Sequence, residues 1–213
     1  MSPVNTRVRT PTENPDANNS TSLPKHGVVG VLRLGAVGEA VLKIVVANLQ
    51  EILNLPVDIL PARQTPEFAY SDNRKQYHAA LILKKLAESQ RPHPRILALV
   101  SVDLFIPVLT HVFGEAQMGG RAAVVSLHRL KQKEEGGGVS LDIFYERAAK
   151  VALHEVAHTF DLVHCKQPEC IMRLSSGPND LDELPLFFCE YCEAFLEEAY
   201  RRYGIQKLHD WSQ

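Results

Sequence analysis

Four residues within one short stretch could do chemistry: His154, Glu155, His158 and His164. The first three spell H-E-x-x-H. On a helix, residues four apart lie on one face about one turn from each other. His154 and His158 are therefore placed to hold one metal ion from the same side. Glu155 follows the first histidine directly, so its carboxylate can reach a metal-bound water without occupying the metal. His164 adds a third nitrogen at the spacing of a helix followed by a turn. Zinc with three protein ligands keeps a fourth position open for water and lowers that water's pKa to about 7. That is equipment for hydrolysing an amide at neutral pH. The bland alternative is a helix whose histidines bond to their neighbours.

All four cysteines lie just downstream, at Cys165, Cys170, Cys189 and Cys192. They admit two readings. One is a pair of disulfides, as in a secreted chain. The other is a tetrahedral zinc site, which wants two closely spaced pairs. The first twenty residues, MSPVNTRVRTPTENPDANNS, contain no apolar core of a signal peptide. The expectation is a cytoplasmic protein, where a reducing environment favours zinc.

The run HEVAHTFDLVHC, then KQPE, CIM, sixteen residues and CEYC resembles the archaemetzincins. These are the cysteine-bearing branch of the metzincin zinc metalloproteases, with the pattern H-E-x-x-H-x-x-G-x-x-H-C, four residues, C-x-M, a spacer and C-x-x-C. The stretch VFGEAQMGGRAAVVSLHRL is similar to that family's sheet-edge segment. The resemblance implies two zinc ions per chain. His154, His158 and His164 would hold the catalytic one, with Glu155 as base, and the four cysteines the structural one. It implies a Met-turn at Met172, a hydrophobic base under the histidines; read without the resemblance, Met172 is simply core. It also implies an antiparallel edge strand above the metal, so that a peptide or protein substrate would lie along Phe113, Gly114, Glu115, Ala116 and Gln117; read without the resemblance, this is equally an ordinary protected edge.

One position departs from the pattern. Asp161 stands where the family has glycine. That glycine ends the helix with a positive φ, swinging the third histidine onto the metal. Aspartate is among the few other residues that tolerate this conformation. The alternatives are a different turn, or Asp161 itself approaching the metal.

The elements that must position these residues follow from periodicity and punctuation. Residues 28–34 read as a buried strand, 37–53 as a helix stopped by Pro56, and 57–60 as a second strand ended by Pro61. Residues 62–73 read as a loop and 74–89 as a second helix. Residues 96–102 form the most apolar strand, which places it centrally. Two short strands, 112–117 and 122–127, flank a glycine-containing turn. Ser140 suits the N-cap of the active-site helix, with Asp142 in its first turn, and that helix should run to about Thr159. Residues 175–180 read as a loop. A last helix should start near Pro185 and end near Tyr203, carrying Cys189 and Cys192 on one face.

This order predicts an α/β (α+β), metzincin-like fold. Its sheet would be mixed, twisted and mostly parallel, with an antiparallel edge strand, the active-site helix and a small zinc-braced C-terminal lobe. Residues 1–25, poor in apolar side chains, are expected to form a disordered tail. Residues 26–213 would be one catalytic domain, divided into subdomains 26–160 and 161–213. With 213 residues, 45% hydrophobic, and a net charge of −2, the chain carries no basic footprint for nucleic acid and no run long enough to span a membrane. A monomer is expected. The leading reading is a zinc-dependent metallopeptidase. Its competitor is a non-catalytic zinc-binding interaction protein on the same scaffold.

Overall fold

The computed structural model describes residues 26–133 and 136–209. The expected tail therefore lies outside the described residues. Five strands form the main sheet: β1 (Val29–Leu34), β2 (Val57–Ile59), β5 (Arg95–Val100), β7 (Gly114–Ala116) and β8 (Ala122–Ser126). Their spatial order is β2-β1-β5-β8-β7. The first four are mutually parallel, and β7 runs antiparallel to β8 at the edge.

The sheet's alternating side chains feed two cores. Val29, Val31, Leu97, Leu99, Ala123 and Val125 pack on the face covered by α1 (Glu39–Leu53) and α3 (Leu141–His158). Leu32, Ile96, Ala98, Val100, Ala122 and Val124 face the other way, toward α2 (Ala79–Ala87). Burial on both faces explains why these strands read as continuous apolar runs. β5 is buried at every residue, as its composition requires.

Several elements differ from expectation. The second helix begins at Ala79. Residues preceding it form β4 (Gln76–His78), which pairs with β3 (Tyr70–Ser71) and β6 (Leu104–Phe105) in a small second sheet. Arg74 donates to the Leu109 and Thr110 carbonyls and stacks on Phe105, which draws it out of a helix. A short helix α4 (Pro178–Glu183) occupies the expected loop, with Pro178 in its first turn. The last helix, α5 (Glu190–Tyr203), starts five residues after Pro185, and Cys189 is its N-cap. Cys189 and Cys192 therefore meet across a helix start and do not share a helical face.

The active-site helix begins as expected: Ser140 caps α3 and accepts from Ile143 N at 3.4 Å. Beyond α3, Leu196, Ala199 and Tyr200 of α5 join the same core as α1 and α3. Tyr200 donates to the Leu53 carbonyl at the end of α1 at 3.0 Å. Among the described residues, no helix is long and apolar enough to cross a membrane.

Candidate metal centres and catalytic cleft

Helix α3 carries His154 and His158 one turn apart, and their Nε2 atoms face each other at 3.0 Å. His154 Nδ1 lies 2.9 Å from the Ile171 carbonyl, and His158 Nδ1 lies 2.6 Å from the Leu162 carbonyl. A carbonyl only accepts, so each Nδ1 carries the proton. Burial, followed by the charge of His158, pushes His154 down to about 3, and burial also lowers His158. Both rings are thus neutral at pH 7, and both Nε2 atoms are bare lone pairs. Two lone pairs at this distance repel unless a cation lies against them. The chemistry of the donors therefore fits a metal ion.

His164 completes the group. Its ring centroid lies 5.2 Å from His154 and 4.9 Å from His158, and the three donor atoms all fall within 4.8 Å of one another. Asp161 makes the turn possible with φ of +69°. This is the left-handed conformation that the glycine pattern demands. Its carboxylate is not part of the cluster. Oδ2 accepts from Tyr203 Oη at 2.8 Å and Arg202 Nη1 at 3.1 Å, so the alternative of Asp161 approaching the metal is corrected. Arg95 supports the same turn. It donates to the Thr159 carbonyl at 3.0 Å and stacks on Phe160 and Tyr203.

Glu155 is 8% exposed, and burial, reinforced by the charge of Glu115, raises its pKa well above the usual carboxylate value. Gly114 makes room for it: a Cβ there would stand 2.5 Å from Glu155 Cγ and 2.7 Å from Oε1. Sequence reasoning placed Gly114 on the substrate strand but missed this role. Only the contact between β7 and α3 shows it. Both residues line a cleft of about 540 Å³ together with His154, His158 and His164. Phe113, Glu115 and Ala116 also line it, whereas Gln117 does not. The Gln117 side chain turns back to accept from the Arg121 and Ala122 backbone amides. Strand β7 pairs only with β8 among the described residues, leaving its other edge toward the cleft.

The four cysteines converge as well, with donor sulfurs within 4.8 Å of one another and no disulfide among them. Cys165 and Cys189 are 3.8 Å apart. Burial raises the Cys170 and Cys192 thiols. Cys189 is lowered despite burial, by hydrogen bonds from the Cys192 amide and the neighbouring thiols. A cluster in which one thiolate is favoured at its neighbours' cost needs a cation to ionise throughout. Met172 is fully buried in the main core.

Residues 36–198 match the model of peptidase family M54. An archaemetzincin of Methanocaldococcus jannaschii is 32% identical over 165 residues, which covers 78% of this chain and 90% of that protein. The chain belongs to peptidase family M54, the archaemetzincins.

An archaemetzincin of Methanopyrus kandleri is 38% identical over 139 residues, 65% of this chain and 76% of the relative. The crystal structure of an archaemetzincin from that organism superposes with a TM-score of 0.73 at 31% identity, covering 85% of this chain and all of that one. The structure of the Archaeoglobus fulgidus archaemetzincin, complexed with malonate, gives a TM-score of 0.68 at 29% identity over 78% of this chain and 99% of that one. This M54 chain is a zinc metallopeptidase, and its substrates are peptides.

Proposed function

We propose that the chain holds two zinc ions, one on His154, His158 and His164 and one on Cys165, Cys170, Cys189 and Cys192, and that Glu155 is the general base of peptide hydrolysis. The observation that carries the histidine set is the pair of facing bare Nε2 atoms. When bound there, zinc supplies a Lewis acid that acidifies water to a pKa of about 7 and polarises a carbonyl.

The chain's own residues do the rest. The Ile171 and Leu162 carbonyls hold the imidazoles in the tautomer that offers Nε2 outward. Glu155 takes the proton of the attacking water and delivers it to the leaving amine. The free edge of β7 offers backbone groups to an extended peptide, which would align along Phe113 to Ala116 beside Glu155. Four reduced cysteines on one cation are consistent with a cytoplasmic protein.

The test is cleavage of a diverse peptide library by the zinc-loaded protein, with Glu155→Ala alongside. The variant should keep its zinc and lose cleavage by at least about a hundredfold, the lower range for removing a general base. Near-normal cleavage by Glu155→Ala would overturn the assignment of the base. Loss of zinc from the variant would show that Glu155 serves the metal site and not proton transfer.

A further inference from the structure

A third group of donors stands apart from the two already described. His26 precedes β1, Asp58 lies in β2, and His93 sits two residues before β5. Their donor atoms fall within 4.8 Å of one another. His93 Nε2 is 2.8 Å from Asp58 Oδ2, and the His26 and His93 ring centroids are 5.7 Å apart. The sheet fixes this arrangement. β2 and β5 flank β1, with Asp58 opposite Gly30 and Arg95 opposite Val29.

His93 is the unusual member. It is 4% exposed, yet its Nδ1 makes no hydrogen bond. Leaving a buried polar nitrogen unpartnered costs stability. A ring placed only to pack would be better replaced by an apolar one, so the imidazole is kept for its other nitrogen, Nε2, which faces the Asp58 carboxylate. Gly30 clears the space for it, since a Cβ there would approach His93 Cγ to 2.9 Å. Asp58 is oriented too: the Gly27 amide donates to its Oδ2 at 2.8 Å. A carboxylate fixed by a backbone amide is the outer support that ligating carboxylates have.

We propose that His26, Asp58 and His93 form a third metal site, binding a divalent transition-metal cation through two imidazoles and one carboxylate. That donor set suits zinc, cobalt, nickel or copper and disfavours calcium and magnesium, which want all-oxygen shells. The cation would staple the segment before β1 to β2 and to the entry of β5. It shares no ligand with the other two clusters. His93 Nδ1 lacks the carbonyl partner that both α3 histidines have, so this site binds about 10–100-fold more weakly than the His154–His158–His164 cluster.

The experiment is a zinc titration of the full-length protein, followed by calorimetry and thermal melting, in the wild type, His26→Ala and Asp58→Asn. His26 is exposed, so its replacement does not endanger the fold. The wild type should take up one further equivalent of zinc after the histidine and cysteine clusters are filled, and its Tm should rise in that step. Both variants should lose that equivalent and that rise while keeping the tighter ones, and magnesium should produce neither. A wild type that saturates with the two tighter clusters would overturn the proposal. So would a weak equivalent that persists in both variants.

Discussion

The two clusters at the end of α3 are built in opposite ways. The histidine cluster draws two of its three donors from one rigid helix, and the orientation of each ring is set by a backbone carbonyl. The cysteine cluster has no such scaffold. Cys165 follows the turn after α3, Cys170 lies in an irregular segment, Cys189 caps α5, and Cys192 is in its first turn. One cluster is preformed by secondary structure. The other is gathered from separate pieces of chain, which the proposed cation would hold together.

The link between them runs mainly one way. Ile171, whose carbonyl orients His154, is bracketed by Cys170 and Met172, and the Cys165 amide donates to the Met172 carbonyl at 2.8 Å. The segment the cysteines hold is the one His154 leans on. The largest expected effect follows from this asymmetry. Cys170→Ser should lose the cysteine-bound zinc, lower Tm, and weaken zinc on the histidines by about 10–100-fold, the usual cost of disturbing a ligand's support. His164→Ala should empty the histidine cluster and leave the cysteine zinc in place. Zinc content and melting of both variants decide the matter. Full histidine-site occupancy and unchanged Tm in Cys170→Ser would make the two clusters independent.

A smaller effect is expected at Asp161, the turn that joins the clusters. Asp161→Gly removes a left-handed cost of about 1–2 kcal/mol. It also removes an exposed ion pair with Arg202 and a hydrogen bond from Tyr203, together worth about the same. Zinc binding and activity should therefore stay near wild type. Asp161→Val, β-branched at φ of +69°, should lose the third ligand's placement. Measured zinc affinity separates these outcomes. Weakened zinc in the glycine variant would mean that the tether to α5 matters more than the backbone conformation.

What the sequence made legible follows the same division. Helical spacing alone put His154 and His158 on one face. The chemistry of Asp161 allowed the turn to His164. The alternating sheet core was readable because its central strands β1, β5 and β8 are long enough to show their burial. Two- and three-residue strands have no periodicity to read. β3 and β4 pair with each other locally, but β4 also pairs with β6, distant in sequence, and by pattern alone β4 reads as the start of a helix. Cys189 and Cys192 have helical spacing, yet α5 begins between them, since Cys189 takes an extended conformation as the N-cap. The room that Gly114 leaves for Glu155 depends on how closely β7 approaches α3. No local pattern encodes that distance.

A third fastening uses no cation and should respond least. Arg147, buried in α3, donates twice to Asp182 of α4 at 2.6 Å and also to the Leu130 and Gln132 carbonyls. The Arg147 guanidinium holds the Asp182 carboxyl below its ordinary value of 3.8. The unfolded chain therefore binds more protons than the folded one between the depressed value and 3.8. The pair's stabilisation is fully present above that window and is lost as pH falls through the depressed value. Asp182→Asn should melt slightly lower than wild type at neutral pH, by about 1 kcal/mol or less for a partly exposed partner. The two melting curves should converge as acid protonates Asp182 in the wild type. Convergence would assign this seam of the cleft wall to charge, distinct from the histidine and cysteine clusters. Curves that stay parallel into acid would assign it to packing of Leu181 and Leu184 against the core.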